Sequence, residues 1–175
     1  KHRRETPDET EHHCLFVLDR SGSMRQHIRV AERAMGMLVF ALEAVDVDVG
    51  VLELLDKEVR LAKAVDREAS RATPRLFHGE ATGGTPLTDT LHIARERLKQ
   101  ETGNRFLFVV TDGLPSDPER YRDALNRFPV PVVGVNLTTD RAAGESEFHR
   151  QVTVPPETGE LRRALRQLVQ EVLFE

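Results

Sequence analysis

Short apolar runs alternate with segments of helical period along most of the chain. Cys14 to Asp19, CLFVLD, is an unbroken apolar run, the pattern of a central strand buried on both faces. Over 26–45, Ile28, Ala31, Met35, Leu38, Leu42 and Val45 step by three and four, which predicts an amphipathic helix. VDVDVGVLEL (45–54) and EVRLAKAV (58–65) both alternate, and Asp56-Lys57 between them predicts an antiparallel hairpin at a sheet edge. A short helix is expected over 66–77, disturbed near its end by Pro74, and then a glycine-bearing loop, HGEATGGTP (78–86). Leu87, Leu91, Ala94 and Leu98 mark another helix, which stops by Gly103. RFLFVVTD (105–112) reads as a second buried strand. A helix begins near Pro118 with Asp117 as N-cap. VPVVGVNL (130–137) is a strand, 138–148 a polar loop or short helix, and RQVTVP (150–155) a last short strand. Leu161, Leu165, Leu168, Val169, Val172 and Leu173 share one face of the final helix.

Strands alternating with helices predict an α/β fold. The expected architecture is doubly wound: a mostly parallel six-stranded sheet, one antiparallel edge strand, and helices on both faces. Residues 1–12 read as a polar leading segment or linker, and 13–175 as a single domain.

Composition narrows the function. The 175 residues are 39% hydrophobic and 31% charged, with a net charge of −4, so no strong field favours nucleic acid or an anionic membrane surface. No apolar stretch approaches the ~18 residues that a membrane span needs. The single cysteine, Cys14, excludes an intrachain disulfide and opens an apolar run, as a buried thiol does. These features fit a reducing, cytoplasmic setting.

The candidate chemistry gathers at strand ends. In an open parallel sheet, functional loops lie at the carboxyl edge. Asp19 closes the first strand and Asp112 closes FLFVVTD. Ser21 and Ser23 follow Asp19 at alternate positions, and Gly22 between them permits a tight turn. The loop with Gly83-Gly84-Thr85 can reach the same edge. Asp19, Ser21, Ser23, Thr85 and Asp112 offer only oxygen donors, which suit Mg²⁺, Mn²⁺ or Ca²⁺. Singly, the aspartate and the serines also suit helix caps, and Asp112-Gly113 suits an ordinary turn. The convergence of three segments at one edge favours the ion site. Met24 and Arg25 are candidates to flank an incoming ligand. His12 and His13 read as solvent-facing or edge residues.

DRSGS, then the GGTP threonine, then VVTDG, resembles the metal-ion-dependent adhesion site of von Willebrand factor type A domains. The resemblance spans about residues 13 to 174. It implies that Ser21 and Ser23 bind the ion directly, Thr85 directly or through water, and Asp19 and Asp112 through waters or hydrogen bonds. Thr88 is a rival to Thr85, and Thr82 a weaker one. It further implies metal-dependent protein binding rather than catalysis, with a partner's Asp or Glu carboxylate completing the ion's shell. Microbial members that resemble this chain work beside AAA-type ATPases, including chelatase and MoxR-like systems, which implies an intracellular adaptor. Adhesion at a cell surface is the alternative within the same class. A different class is an Mg²⁺-dependent phosphoryl-transfer enzyme using Asp19. The phosphatase pattern wants an acid two residues later, where Ser21 stands, and no GxxxxGK[ST] motif occurs.

Overall fold

The computed structural model describes residues 11–84, 86–112, 117–137, 150–154 and 160–174. In chain order they form β1 (His12–Asp19), a 3₁₀ turn (Gly22–Gln26), α1 (Ile28–Ala44), β2 (Asp48–Leu55), β3 (Glu58–Lys63), α2 (Ala69–Leu76) and α3 (Leu87–Leu98). There follow β4 (Asn104–Thr111), α4 (Pro118–Asn126), β5 (Val132–Leu137), β6 (Arg150–Val154) and α5 (Glu160–Phe174). The described strands make one six-stranded sheet in the order β3-β2-β1-β4-β5-β6. β3 alone runs antiparallel, paired with β2 at the edge. The expected doubly wound architecture is therefore present.

The period of two divides the central strands between two cores. Cys14, Phe16 and Leu18 of β1 face α1 and α2, where Ile28, Met35, Leu38, Leu42, Ala72 and Leu76 are buried. Leu15 and Val17 face α3 and α4, with Leu87, Leu91, Leu98, Tyr121 and Leu125. Phe16 stacks on Phe108 of β4, ring centroids 4.9 Å apart. An apolar run without alternation is what a strand covered on both faces requires.

Local chemistry explains the boundaries. Asp56 and Lys57 both take positive φ, 53° and 62°, the two-residue turn that matches the twist of a hairpin. β2 begins at Asp48 rather than at Val45, because α1 runs to Ala44 and Asp46 turns the chain with φ 63°. Pro74 does not end α2, which continues to Leu76. Proline has no N–H for the Ser70 carbonyl, and the Thr73 hydroxyl donates to that oxygen instead, at 3.1 Å. Asp117 caps α4 as expected, accepting from the Arg120 N–H at 3.1 Å. The 138–148 segment lies outside the described residues, as do most side chains of the α5 stripe; Val169 is buried in the first core.

Among the buried polar residues of the sheet are His13 and Lys63. His13 is buried, not solvent-facing, because β1 lies between β2 and β4 from its first residues. Its Nε2 stands 3.2 Å from Glu101 and 3.6 Å from Asp48. Lys63, near the end of the edge strand, is also buried. Its ammonium pairs with Glu43 of α1 at 2.7 Å and donates to the carbonyls of Val49 and Ala64. The other Glu43 oxygen accepts the Ala69 N–H at 3.0 Å, at the start of α2. Glu43 thus ties α1, β3 and α2 together.

This arrangement makes an asymmetric prediction. Glu43→Ala leaves a buried ammonium without its counter-charge and should cost about 3 kcal/mol. Lys63→Met leaves the Glu43 carboxylate, which reaches solvent and still accepts the Ala69 N–H, and should cost less. Urea denaturation of both variants checks this; a loss in Glu43→Ala no larger than in Lys63→Met would contradict it.

Candidate functional site

The five parallel strands end at one edge, and the register brings two of those ends together. Leu18 of β1 lies opposite Val110 of β4, so Asp19 and Thr111 are level. The Thr111 hydroxyl donates to Asp19 Oδ2 at 2.6 Å. Asp19 Oδ1 accepts the Ser21 N–H at 2.8 Å, which bends the chain directly after the strand. Both carboxylate oxygens are thus engaged, and Asp19 is 0% exposed.

The turn then presents its hydroxyls. Ser21 precedes the 3₁₀ turn, and its side chain makes no capping bond. Its Oγ lies 3.2 Å from the Oγ of Ser23, and Ser23 donates to Asp112 Oδ1 at 2.8 Å. Ser21 is buried, Asp112 half-buried and Ser23 exposed. A row of oxygens therefore runs from Asp19 and Ser21 in the interior to Ser23 at the surface, with half-buried Asp112 beside Ser23. The capping roles open to the serines on sequence grounds are not what they do here.

The glycine loop is fastened to this turn by main-chain bonds. Thr82 N–H donates to the Arg20 carbonyl at 2.7 Å, and Gly22 N–H to the Gly83 carbonyl at 3.0 Å. From the other side, Asp56 N–H in the β2–β3 turn donates to the Thr82 carbonyl at 3.0 Å. Gly83 has φ +84°, and a Cβ there would stand 2.8 Å from the Asp56 Cα, so both conformation and space call for glycine. Thr85 itself lies outside the described residues. Its rival Thr88 is buried in the first turn of α3. Thr82 is exposed and serves the loop through its backbone.

The electrostatics favour a cation. Burial pushes the Asp19 carboxyl above its ordinary range; the bonds from Thr111 and Ser21 pull it down, and nearby Asp112 pushes it up. The one adjacent guanidinium, Arg20, faces away into a separate buried cluster. The donor spacing fits a small hard ion as well. Neighbouring ligands of an Mg²⁺ octahedron, with metal–oxygen distances of about 2.1 Å, stand about 3.0 Å apart. The serine oxygens at 3.2 Å match that spacing. Among the described residues no group of three His, Cys, Asp or Glu side chains could hold a metal ion, so a soft or imidazole-based centre has no support there.

Several neighbours of the site follow from tertiary placement more than from residue order. Thr111 directly precedes Asp112 and reads in the sequence as a strand residue, yet its hydroxyl reaches Asp19. Of the two candidates to flank an incoming ligand, Met24 is fully buried in the first core, because the 3₁₀ turn rotates it inward, and Arg25 is exposed. Lys57 joins the rim: its side-chain carbons lie 3.8 Å from where a Cβ on Gly84 would be. Arg20 points away from the ligand side chains, as the turn's spacing allows, and it is buried together with Glu32 and Glu53, which carry no motif in the sequence. Glu53 interrupts an apolar strand and Glu32 lies one turn from Ile28, signals that were readable.

An open α/β sheet with polar loops gathered at its carboxyl edge defines a class of binding domains. Within that class, the model of the von Willebrand factor type A domain matches residues 14–114. The chain belongs to this family, one of protein-interaction and adhesion modules. No curated protein matches the chain. Among solved structures, the SpRpn10 VWA domain superposes with TM-score 0.68 at 13% identity, covering 90% of this chain and 95% of that one. The pilus adhesin SpaC of Lactobacillus rhamnosus GG gives TM-score 0.74 at 11% identity, over 94% of this chain and 31% of SpaC. Proximal thread matrix protein 1 from the mussel byssus gives 0.70 at 16% identity, over 93% of this chain and 48% of that protein. The chain thus spans less than half of either of the last two proteins. At these identities the likeness is one of fold.

Burial of an ionised carboxylate costs stability, and this yields a sign. Because the folded-state pKa of Asp19 is raised, its stabilising contribution is complete below the ordinary carboxylate range and is lost as pH rises through the folded value. Asp19→Asn removes that cost: its amide oxygen can still accept from Ser21 N–H, and its NH₂ can donate to Thr111. The variant should be more stable than wild type in EDTA at pH 7. Urea denaturation in chelator checks this, and a less stable variant would contradict it.

Proposed function

We propose that this chain is a divalent-cation-dependent protein-binding module. Ser21 and Ser23 would hold the ion directly, with Asp19 and Asp112 beside them and Thr85 from the glycine loop. The observation that carries this reading is the oxygen row from Ser21 Oγ through Ser23 Oγ to Asp112 Oδ1, which opens to solvent at Ser23. Mg²⁺ is the ion the donors suit best, with Mn²⁺ and Ca²⁺ as hard-ion alternatives. Bound there, the ion supplies a fixed positive charge that favours an anionic oxygen from outside.

The partner is a protein presenting an Asp or Glu carboxylate. A single carboxylate contact orients but does not discriminate, so the rim must supply specificity. Exposed Arg25 and Lys57 lie on that rim and favour further acidic groups around the captured one. The family resemblance of the sequence supports an adaptor role in a cytoplasmic assembly, beside an AAA ATPase of the chelatase or MoxR-like kind. Surface adhesion uses the same chemistry and is the alternative setting.

The phosphoryl-transfer reading has less support. An acceptor aspartate needs an oxygen free to meet phosphorus. Asp19 is sealed from solvent, and both its oxygens accept hydrogen bonds. We therefore read the chain as non-enzymatic.

Ser21→Ala with Ser23→Ala should abolish measurable Mg²⁺ binding while preserving the fold, since neither hydroxyl packs the core. Calorimetric titration beside circular dichroism checks this, and wild-type affinity in the double variant would refute the assignment. Partner capture should fall in EDTA and return with excess Mg²⁺; capture indifferent to chelator would place the decisive contacts elsewhere.

A further inference from the structure

Arg20 stands between Asp19 and Ser21, yet its side chain leaves the edge and enters the protein. It is 0% exposed. Nε donates to Glu53 Oε2 at 2.7 Å, and Nη1 to Glu32 Oε1 at 2.6 Å. Nη1 also reaches the Glu80 carbonyl at 3.3 Å, and Nη2 the Leu76 carbonyl at 3.0 Å. The two carboxylates extend the reach. Glu32 Oε1 accepts the Gly79 N–H at 2.7 Å, and Glu53 Oε2 meets His78 Nε2 at 2.9 Å. The Arg20 carbonyl accepts from Thr82.

These bonds share one target. Residues 77–84 have no helix or strand of their own. Leu76, His78, Gly79, Glu80 and Thr82 are each tied to Arg20 directly or through one of its two carboxylates. A buried guanidinium with two carboxylates is costly unless its geometry is well satisfied, and its five donors suit this division of bonds where an ammonium would not.

We infer that Arg20 is a positioning residue of the ion site: its guanidinium, through Glu32 and Glu53, holds segment 76–83 against the Asp19–Ser23 turn and so fixes the glycine loop at the carboxyl edge. The inference rests on the ion-site reading above. It assigns a role to the one residue of DRSGS whose side chain carries charge yet offers no ligand atom.

The test compares wild type, Arg20→Met and Arg20→Lys in two measurements. The first is Mn²⁺ affinity by electron paramagnetic resonance; the second is amide hydrogen exchange of the ion-free protein in EDTA. Arg20→Met should weaken Mn²⁺ binding about 10-fold or more, the scale on which groups behind metal ligands act. Arg20→Lys, which cannot span both carboxylates, should also bind more weakly. The Gly79 and Thr82 amides should exchange faster in Arg20→Met, while β4 and β5 stay protected. Guanidinium ion at low millimolar concentration should restore part of the Mn²⁺ affinity of Arg20→Met and none of that of the double serine variant. Unchanged Mn²⁺ affinity, or exchange raised uniformly across the sheet, overturns the inference. If Arg20→Met does not fold, Glu53→Gln takes its place, with the same directions and smaller size. If wild type binds no Mn²⁺, the ion-site reading fails by itself, and the exchange of Gly79 and Thr82 still decides whether Arg20 holds the loop.

Discussion

The register between β1 and β4 is the constraint on which the rest depends. With Leu18 opposite Val110, the Thr111 hydroxyl meets Asp19, and Asp112 follows at hydrogen-bond distance from Ser23. A slip of one residue would exchange the two faces of the strand, sending Phe16 and Leu18 into the wrong core. Hydrophobic burial on both faces therefore enforces the same register that assembles the polar edge. Sheet and site are specified together.

Around that edge the structure separates its charges. Asp19 is placed in a dry position whose neighbours, apart from the donors of Thr111 and Ser21, favour its neutral form. Arg20 could neutralise it from the next position along the chain but is committed to Glu32 and Glu53. The outcome is an Asp19 carboxylate with no described cation paired to it, at an edge rich in oxygen donors. Such an arrangement is poor for stability and suited to a cation. The Lys63–Glu43 pair, with no ligand in view, shows the opposite treatment of a buried charge: it is matched in place.

Much of this was legible in the sequence for physical reasons. Period-two and helical stripes located the strands and helices, since burial on one or two faces leaves a direct mark on residue order. Asp56-Lys57 announced its hairpin, and Asp19 and Asp112 their common edge, because parallel strands end together. Other features depend on tertiary placement. Met24 follows two ligand candidates and looks exposed, but the 3₁₀ turn carries it into the core. His13 looks like a surface residue until β2 and β4 enclose it. The inward course of Arg20 required knowing that Glu32 and Glu53, far apart in the chain, converge on one point. The assignment of Thr85 to the site rests on the sequence resemblance; what the structure describes is the anchoring of residues 82–83, which precede it.

The most direct measurement is a crystal soaked in Mn²⁺, with diffraction recorded at an energy where manganese scatters anomalously. The account predicts one strong anomalous peak within bonding distance of the Ser21 and Ser23 hydroxyls. A map with no peak there, or with manganese bound elsewhere and these oxygens vacant, would contradict it.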